Sequence, residues 1–77
     1  MKMNKEEMLE KLILDLLPET GQLPFILWHQ ARSRLSTLSY EVTWRNMQVA
    51  FDHLYHEGKI TEQQDFSRSI VKRAYPY

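Results

Sequence analysis

The sequence contains no cysteine, only two glycines and no long hydrophobic run. Without cysteine, the chain forms neither a disulfide framework nor a thiolate metal site. The apolar stretch Leu12–Leu17 is interrupted by Asp15, and no apolar run approaches the roughly 20 residues that a membrane-spanning helix needs. The acidic pair Glu6 and Glu7 makes the N-terminal segment a poor signal peptide. We therefore expect a cytoplasmic protein without membrane contact.

The chain also lacks net charge, because ten basic residues balance ten acidic ones. Neutrality weakens the case for a nucleic-acid partner, since phosphate binding depends largely on positive potential. The charges are unevenly distributed: residues 1–20 hold three lysines against five acidic residues, and residues 21–77 hold seven basic against five acidic residues. The last ten residues carry Arg68, Lys72 and Arg73 and no acid. The distribution thus favours the C-terminal part for contact with phosphates.

No pattern typical of catalysis or cofactor binding is present. Neither glycine lies in a phosphate-binding loop, and no Ser/His/Asp or Cys/His arrangement is visible. His53 and His56 are three residues apart, a spacing that suits zinc on one helix face, but a third ligand at matched spacing is missing. We expect no enzymatic activity, no cofactor and no metal site.

Length and periodicity predict one domain that covers residues 1–77 and begins with two helices. Asn4 and Glu7 resemble a capping box before a helix over 5–17. Pro24 suits the first turn of a second helix over 24–35. The apolar stripes of these two helices are Met8, Leu9, Leu12, Ile13 and Leu16, and then Leu27, Trp28, Ala31 and Leu35.

A third helix is predicted over 43–57. Thr43 is a good N-cap, with Ser39 as a rival start, and Gly58 supplies the left-handed residue that ends the helix. Its apolar face consists of Met47, Ala50, Phe51 and Leu54. The rest of the chain has two interpretations: strands at Lys59–Gln63 and Ser69–Tyr75 around a turn at 64–68, or a helix from Thr61 to Ala74. Periodicity alone does not decide between them.

Residues 42–60 resemble a pattern of bacterial winged-helix repressors, Val-Ser-x-x-Thr-Val-x-x-Ala-Leu-x-x-Leu-x-x-x-Gly-x-Ile. Gly21–Pro24 is similar to the Gly-x-x-Leu-Pro of GntR-type DNA-binding domains, and Asp65–Arg68 is loosely similar to a MarR-type wing. Two arginines of the GntR pattern are replaced here by Trp44 and Gln48. The residues of 42–60 that match the pattern or substitute closely for it are Val42, Thr43, Met47, Ala50, Phe51, Leu54, Gly58 and Ile60.

The resemblance implies a mostly α, small winged helix-turn-helix of three helices and a C-terminal β-hairpin. The alternative is an all-α bundle with a fourth C-terminal helix. The implied function is that of a DNA-binding transcriptional regulator, acting as a homodimer, with its recognition helix at about 43–57. The rival function is a protein–protein interaction module, such as an adaptor or inhibitor, that does not bind DNA. The candidate DNA-binding residues are Thr43, Arg45, Asn46, Gln48 and Val49 in the helix, and Arg68, Lys72 and Arg73 in the tail.

Overall fold

The structure, a computed structural model, describes residues 4–65 and 67–74. Three helices, α1 (Lys5–Leu16), α2 (Pro24–Ser36) and α3 (Trp44–His56), precede an antiparallel hairpin of β1 (Ile60–Asp65) and β2 (Arg68–Arg73). The prediction of three helices and a C-terminal hairpin is confirmed. The alternative of a fourth helix from Thr61 to Ala74 is wrong, because residues 61–65 and 68–73 pair as strands.

Local capping fixes where α1 and α3 begin. The Asn4 side chain accepts the backbone N–H of Glu7 at 2.8 Å. Thr43 Oγ1 accepts the N–H of Asn46 at 3.1 Å, while Asn46 Oδ1 accepts the N–H of Thr43 at 2.9 Å. This reciprocal pair satisfies two donors that a helix start leaves without intrahelical partners. Ser39, the rival start, instead has φ 59° and lies in the turn after α2.

One core joins all five elements. Leu9 and Ile13 of α1 pack with the buried faces of α2 and α3, and Ile60 and Val71 close the core from the hairpin. The predicted stripes face this core, although four of their residues are only partly buried and pack against its edge: Met8, Leu12, Leu16 and Trp28. The buried residues are Leu9, Ile13, Leu17, Leu27, Ala31, Leu35, Val42, Met47, Ala50, Phe51, Leu54, Ile60 and Val71.

The hairpin has a tighter turn than the sequence predicted. Its pairing runs from Ile60 opposite Arg73 to Asp65 opposite Arg68, so residues 64, 65 and 68 belong to strands and not to the turn. Tyr75, the predicted end of the second strand, lies outside the described residues.

A third backbone segment pairs with the outer edge of β2. The N–H of Gln22 donates to the carbonyl of Val71 at 2.9 Å, and the N–H of Val71 donates to the carbonyl of Gln22 at 2.8 Å. Gly21 makes this approach possible: its φ is +87°, and a Cβ there would lie 2.8 Å from the Val71 carbonyl oxygen. The connection between α1 and α2 is thereby tied to the hairpin. Among the described residues, no helix is both long enough and apolar enough to cross a membrane.

Candidate functional site

The exposed face of α3 is built on a buried apolar face. Met47 and Leu54 are fully buried, which fixes the rotation of the helix and turns Arg45, Gln48 and Asp52 to solvent. Val49 is 49% exposed beside them. The structure thus brings together three of the predicted site residues, Arg45, Gln48 and Val49, on one accessible surface, which we call the α3 face and define as Arg45, Gln48, Val49 and Asp52.

The polar side chains of Thr43 and Asn46 bond to each other and to each other's backbone in the capping box of α3. The Thr43 hydroxyl donates to Asn46 Oδ1 at 2.9 Å, in addition to the two reciprocal bonds to backbone N–H groups. The side-chain oxygen Oδ1 of Asn46 therefore already accepts two hydrogen bonds from Thr43. This arrangement sets the position at which the α3 face starts, and it reduces what either side chain has left for another molecule.

A cleft of about 310 Å³ separates the first half of α3 from α1. Arg45 and Val49 line one wall, and Glu6, Leu9 and Glu10 line the other. The cleft mixes apolar carbon with two carboxylates. The α3 face therefore carries one arginine and one aspartate, with further acidic groups close by.

The predicted phosphate-binding residues of the tail are divided between two faces of the hairpin. Side chains alternate along a strand, so buried Val71 places Ser69 and Arg73 on the core side of β2. Arg68 and Lys72 lie on the opposite face. Lys72 Nζ is 3.5 Å from Gln63 Oε1 of the neighbouring strand, and Arg68 is exposed next to the turn.

Arg73 reaches back to α1. Its Nε and Nη2 donate to the carbonyl of Leu14 at 3.3 and 2.8 Å. That carbonyl belongs to the last turn of α1, where carbonyl groups lack intrahelical donors and the helix dipole favours a cation. The structure gives Arg73 an anchoring contact within the fold.

Tyr55 of α3 lies near Glu62 of β1, a neighbour that the sequence did not reveal. Its ring is partly exposed, and burial together with the nearby Glu62 carboxylate of β1 raises the pKa of its hydroxyl. The helical spacing of Tyr55 does not indicate a partner from another element. The position of β1 in the fold identifies Glu62 as its neighbour.

The connection between α2 and α3 forms a second open cleft, of about 650 Å³, lined by residues that include His29, Arg32 and Tyr40. Trp28 stabilises one wall of this cleft, because its Nε1–H donates to the carbonyl of the lining residue Val42 at 3.0 Å. The Arg32 guanidinium lies 5.0 Å from the Trp28 ring centre, and Trp28 packs against Trp44. The aromatic cluster therefore supports the connection that positions Thr43.

The two histidines of α3 have different neighbours. His53 Nδ1 lies 2.7 Å from Glu10 Oε2 of α1, whereas His56 Nδ1 lies 2.8 Å from the Asp52 carbonyl oxygen one turn earlier in α3. The two histidines, which the sequence placed on one helix face, therefore contact different groups and do not point to a common metal position.

Comparison with known proteins finds no matching family model, no similar curated protein and no similar solved structure.

Proposed function

We propose that this chain is a DNA-binding module of the winged helix-turn-helix kind, with α3 as its recognition helix. One observation carries the proposal: a firmly capped helix with an exposed polar face is followed directly by a two-stranded hairpin. A helix of this size fits the major groove, and a hairpin beside it suits contact with the backbone. The resemblance over residues 42–60 points to the same arrangement.

In this proposal Arg45 and Gln48 contact base edges, and Val49 contacts a thymine methyl group. Arginine and glutamine form bidentate contacts with guanine and adenine respectively. Thr43 and Asn46 hold the start of α3 in place. On the hairpin, Arg68 next to the turn is the foremost phosphate ligand and Lys72 the next.

A single module of this size covers only a short half-site. Two copies related by a two-fold axis bring two recognition helices into successive major grooves, one helical turn apart. We therefore propose that the chain acts as a homodimer on a short palindrome. Sedimentation with and without duplex tests this step, and a strict monomer in both conditions contradicts it.

Binding to duplex DNA is measured first by fluorescence anisotropy with a random duplex at low salt, and then with a site selected from a random library. Combined replacement of Arg68 and Lys72 by alanine is expected to weaken binding to all sequences alike. It also flattens the dependence of log affinity on log salt by about 0.9 for each phosphate that the protein no longer neutralises. Phosphates repeat identically along the duplex, so this weakening does not depend on sequence.

Arg45→Ala is expected to act differently, costing about 1–3 kcal/mol mainly on the selected site. Lys11→Ala is the control variant, because it removes one positive charge from exposed α1 and not from the α3 face or the hairpin. An effect of Lys11→Ala as large as that of Arg45→Ala contradicts base contact by α3. Absence of binding to random duplex at protein concentrations on the order of tens of micromolar contradicts the whole proposal.

A second candidate function, binding to another protein, is favoured by the cleft between α1 and α3. Its carboxylates, Glu6 and Glu10, flank Arg45 and weaken the positive potential that DNA requires. Half-exposed Val49 and buried Leu9 give the same cleft an apolar floor. A protein segment that combines a basic and an apolar side chain matches this surface. The same anisotropy experiment separates the two functions, since this candidate predicts no affinity for duplex DNA.

A further inference from the structure

Three side chains that can bind a metal ion meet where the end of α3 crosses α1. They are Glu10 of α1, His53 of α3 and Glu57, the residue that caps α3. One ligand atom from each lies within 4.8 Å of the other two. The shortest separation is 2.7 Å, between His53 Nδ1 and Glu10 Oε2. These residues come together only in the folded chain, because Glu10 is 43 positions away from His53 in the sequence.

The donor set suits a divalent ion of the zinc class. Zinc accepts imidazole nitrogen and carboxylate oxygen at about 2.0–2.2 Å, and many sites use three protein ligands and one water. At tetrahedral angles, two such ligand atoms lie roughly 3.3 Å apart. Entry of the ion therefore requires the 2.7 Å contact to open by about 0.6 Å, and any separation in the group that exceeds this spacing, within the 4.8 Å limit, to close. The His53 side chain is 58% exposed, so it has room to make that small movement.

The surrounding charges favour a cation. The cleft that contains the three ligands has a volume of about 520 Å³ and carries four carboxylates against two ammonium groups. Lys59 Nζ is 3.5 Å from Glu57 Oε1, which leaves the other oxygen of this carboxylate for a metal. Contacts of this kind commonly orient a ligating carboxylate. The charged residues that line the cleft are Glu6, Glu7, Glu10, Lys11, Glu57 and Lys59.

We propose that Glu10, His53 and Glu57 form a binding site for a divalent transition-metal ion, zinc being the best match, with one position open to water. The bound ion ties α1 to the end of α3. The test of this site does not depend on the proposed DNA contact, because its readouts are metal binding and thermal stability, although its ligand Glu10 also lines the cleft beside Arg45. The presence or absence of the site is therefore tested without DNA.

The experiment titrates the full chain, freed of metal and of any affinity tag, with zinc chloride by calorimetry at neutral pH. A parallel thermal melt records the melting temperature with and without zinc. We expect binding of one ion per chain, a higher melting temperature, and zinc-dependent shifts of the His53 ring resonances in NMR spectra. Magnesium chloride is the comparison ion, and we expect no binding, because magnesium requires octahedral oxygen coordination.

Variants assign the site. His53→Gln and Glu10→Gln are each expected to raise the apparent dissociation constant for zinc by about tenfold or more. His56→Gln is the matched control: it removes an exposed histidine from the same helix, whose neighbour is Asp52 and not the cleft. Glu57→Gln provides a second readout at an exposed position, should Glu10→Gln disturb the packing of α1.

Three results overturn the proposal. One is the absence of zinc binding in calorimetry. Another is loss of binding in His56→Gln while His53→Gln binds normally, which indicates nonspecific surface coordination. The third is zinc binding that is unchanged in Glu10→Gln and Glu57→Gln, because a lone histidine then accounts for it.

Discussion

The Arg73 guanidinium and the Leu14 carbonyl join the last strand of the hairpin to the last turn of α1. The two donated bonds, of 3.3 and 2.8 Å, link residues 59 positions apart in the chain. Because Arg73 is partly buried, the contact is better protected from solvent than a surface ion pair. It holds β2 against the first helix, next to the core residue Val71.

This contact predicts that Arg73 contributes mainly to stability. Arg73→Ala is expected to lower the free energy of unfolding by about 1.5–3 kcal/mol, the range for hydrogen bonds that involve a charged group. Arg68→Ala and Lys72→Ala remove equal charge from the outer face of the hairpin and are expected to change it by less than about 0.5 kcal/mol. Urea denaturation measures all three. Equal destabilisation by the three variants contradicts the anchoring role.

The two glycines predict a second contrast. Both have positive φ, +87° at Gly21 and +72° at Gly58, so alanine at either position incurs roughly 1–2 kcal/mol of backbone strain. At Gly21 the added Cβ also meets the Val71 carbonyl oxygen at 2.8 Å, whereas at Gly58 no atom of the described residues lies within 4 Å of it. Gly21→Ala is therefore expected to be the more destabilising variant.

Thermal denaturation of both glycine variants, monitored by circular dichroism, checks this order. Hydrogen exchange of the Gln22 and Val71 amides gives a more specific readout. Protection of these two amides is expected to fall in Gly21→Ala and to persist in Gly58→Ala. A lower melting temperature for Gly58→Ala than for Gly21→Ala contradicts the prediction that position 21 requires glycine because it packs closely against β2.

The third prediction concerns the rotation of α3. Leu54 is completely buried, whereas Val49 is 49% exposed. Leu54→Ala is expected to cost about 2–5 kcal/mol, the usual range for a buried leucine, because the removed atoms leave a cavity. Val49→Ala, on the opposite side of the same helix, is expected to cost less than about 1 kcal/mol. Chemical denaturation that gives similar destabilisation for both contradicts the burial pattern on which the α3 face depends.

The helices were predictable because their boundaries depend on neighbouring residues. The helix limits inferred from Asn4, Pro24, Thr43 and Gly58 agree with the structure to within one residue. A cap is a hydrogen bond across three positions, and an apolar stripe repeats every turn. Both signals are therefore contained in a short window of sequence.

The interactions that complete the fold were not predictable in this way. Gln22 pairs with Val71, and Arg73 donates to the Leu14 carbonyl. The partners in each contact are far apart in the sequence, so no local pattern predicts them. The number of residues in the hairpin turn also depends on the register of the two strands, and this register is fixed by the burial of Val71 in the core. For the same reason, His53 and His56 are alike in sequence, while only His53 meets Glu10.

The last prediction is a pH dependence of the contact between His53 and Glu10 in metal-free protein. The hydrogen bond to Glu10, the charge of the same carboxylate, and the carboxylates of Glu57 and Glu6 all raise the pKa of His53 above its usual 6.5. Two ammonium groups also face the cleft, from Lys11 and Lys59. A histidine whose pKa is raised on folding contributes stability that is fully present below the unfolded-state pKa, near 6.5. That contribution disappears as the pH rises through the higher folded-state pKa.

The test compares the original chain with Glu10→Gln in the presence of a chelator. An NMR titration of the His53 ring is expected to give a lower pKa in Glu10→Gln, because the variant loses both the carboxylate charge and the charge-assisted hydrogen bond. The stability difference between the two proteins is expected to be larger at about pH 5.5 than at about pH 8.5, on either side of the histidine titration. The effect is small in energy, since the His53 side chain is largely exposed and water screens the pair. A stability difference that grows toward alkaline pH would reverse the predicted sign and show that His53 is not the proton-binding partner of Glu10.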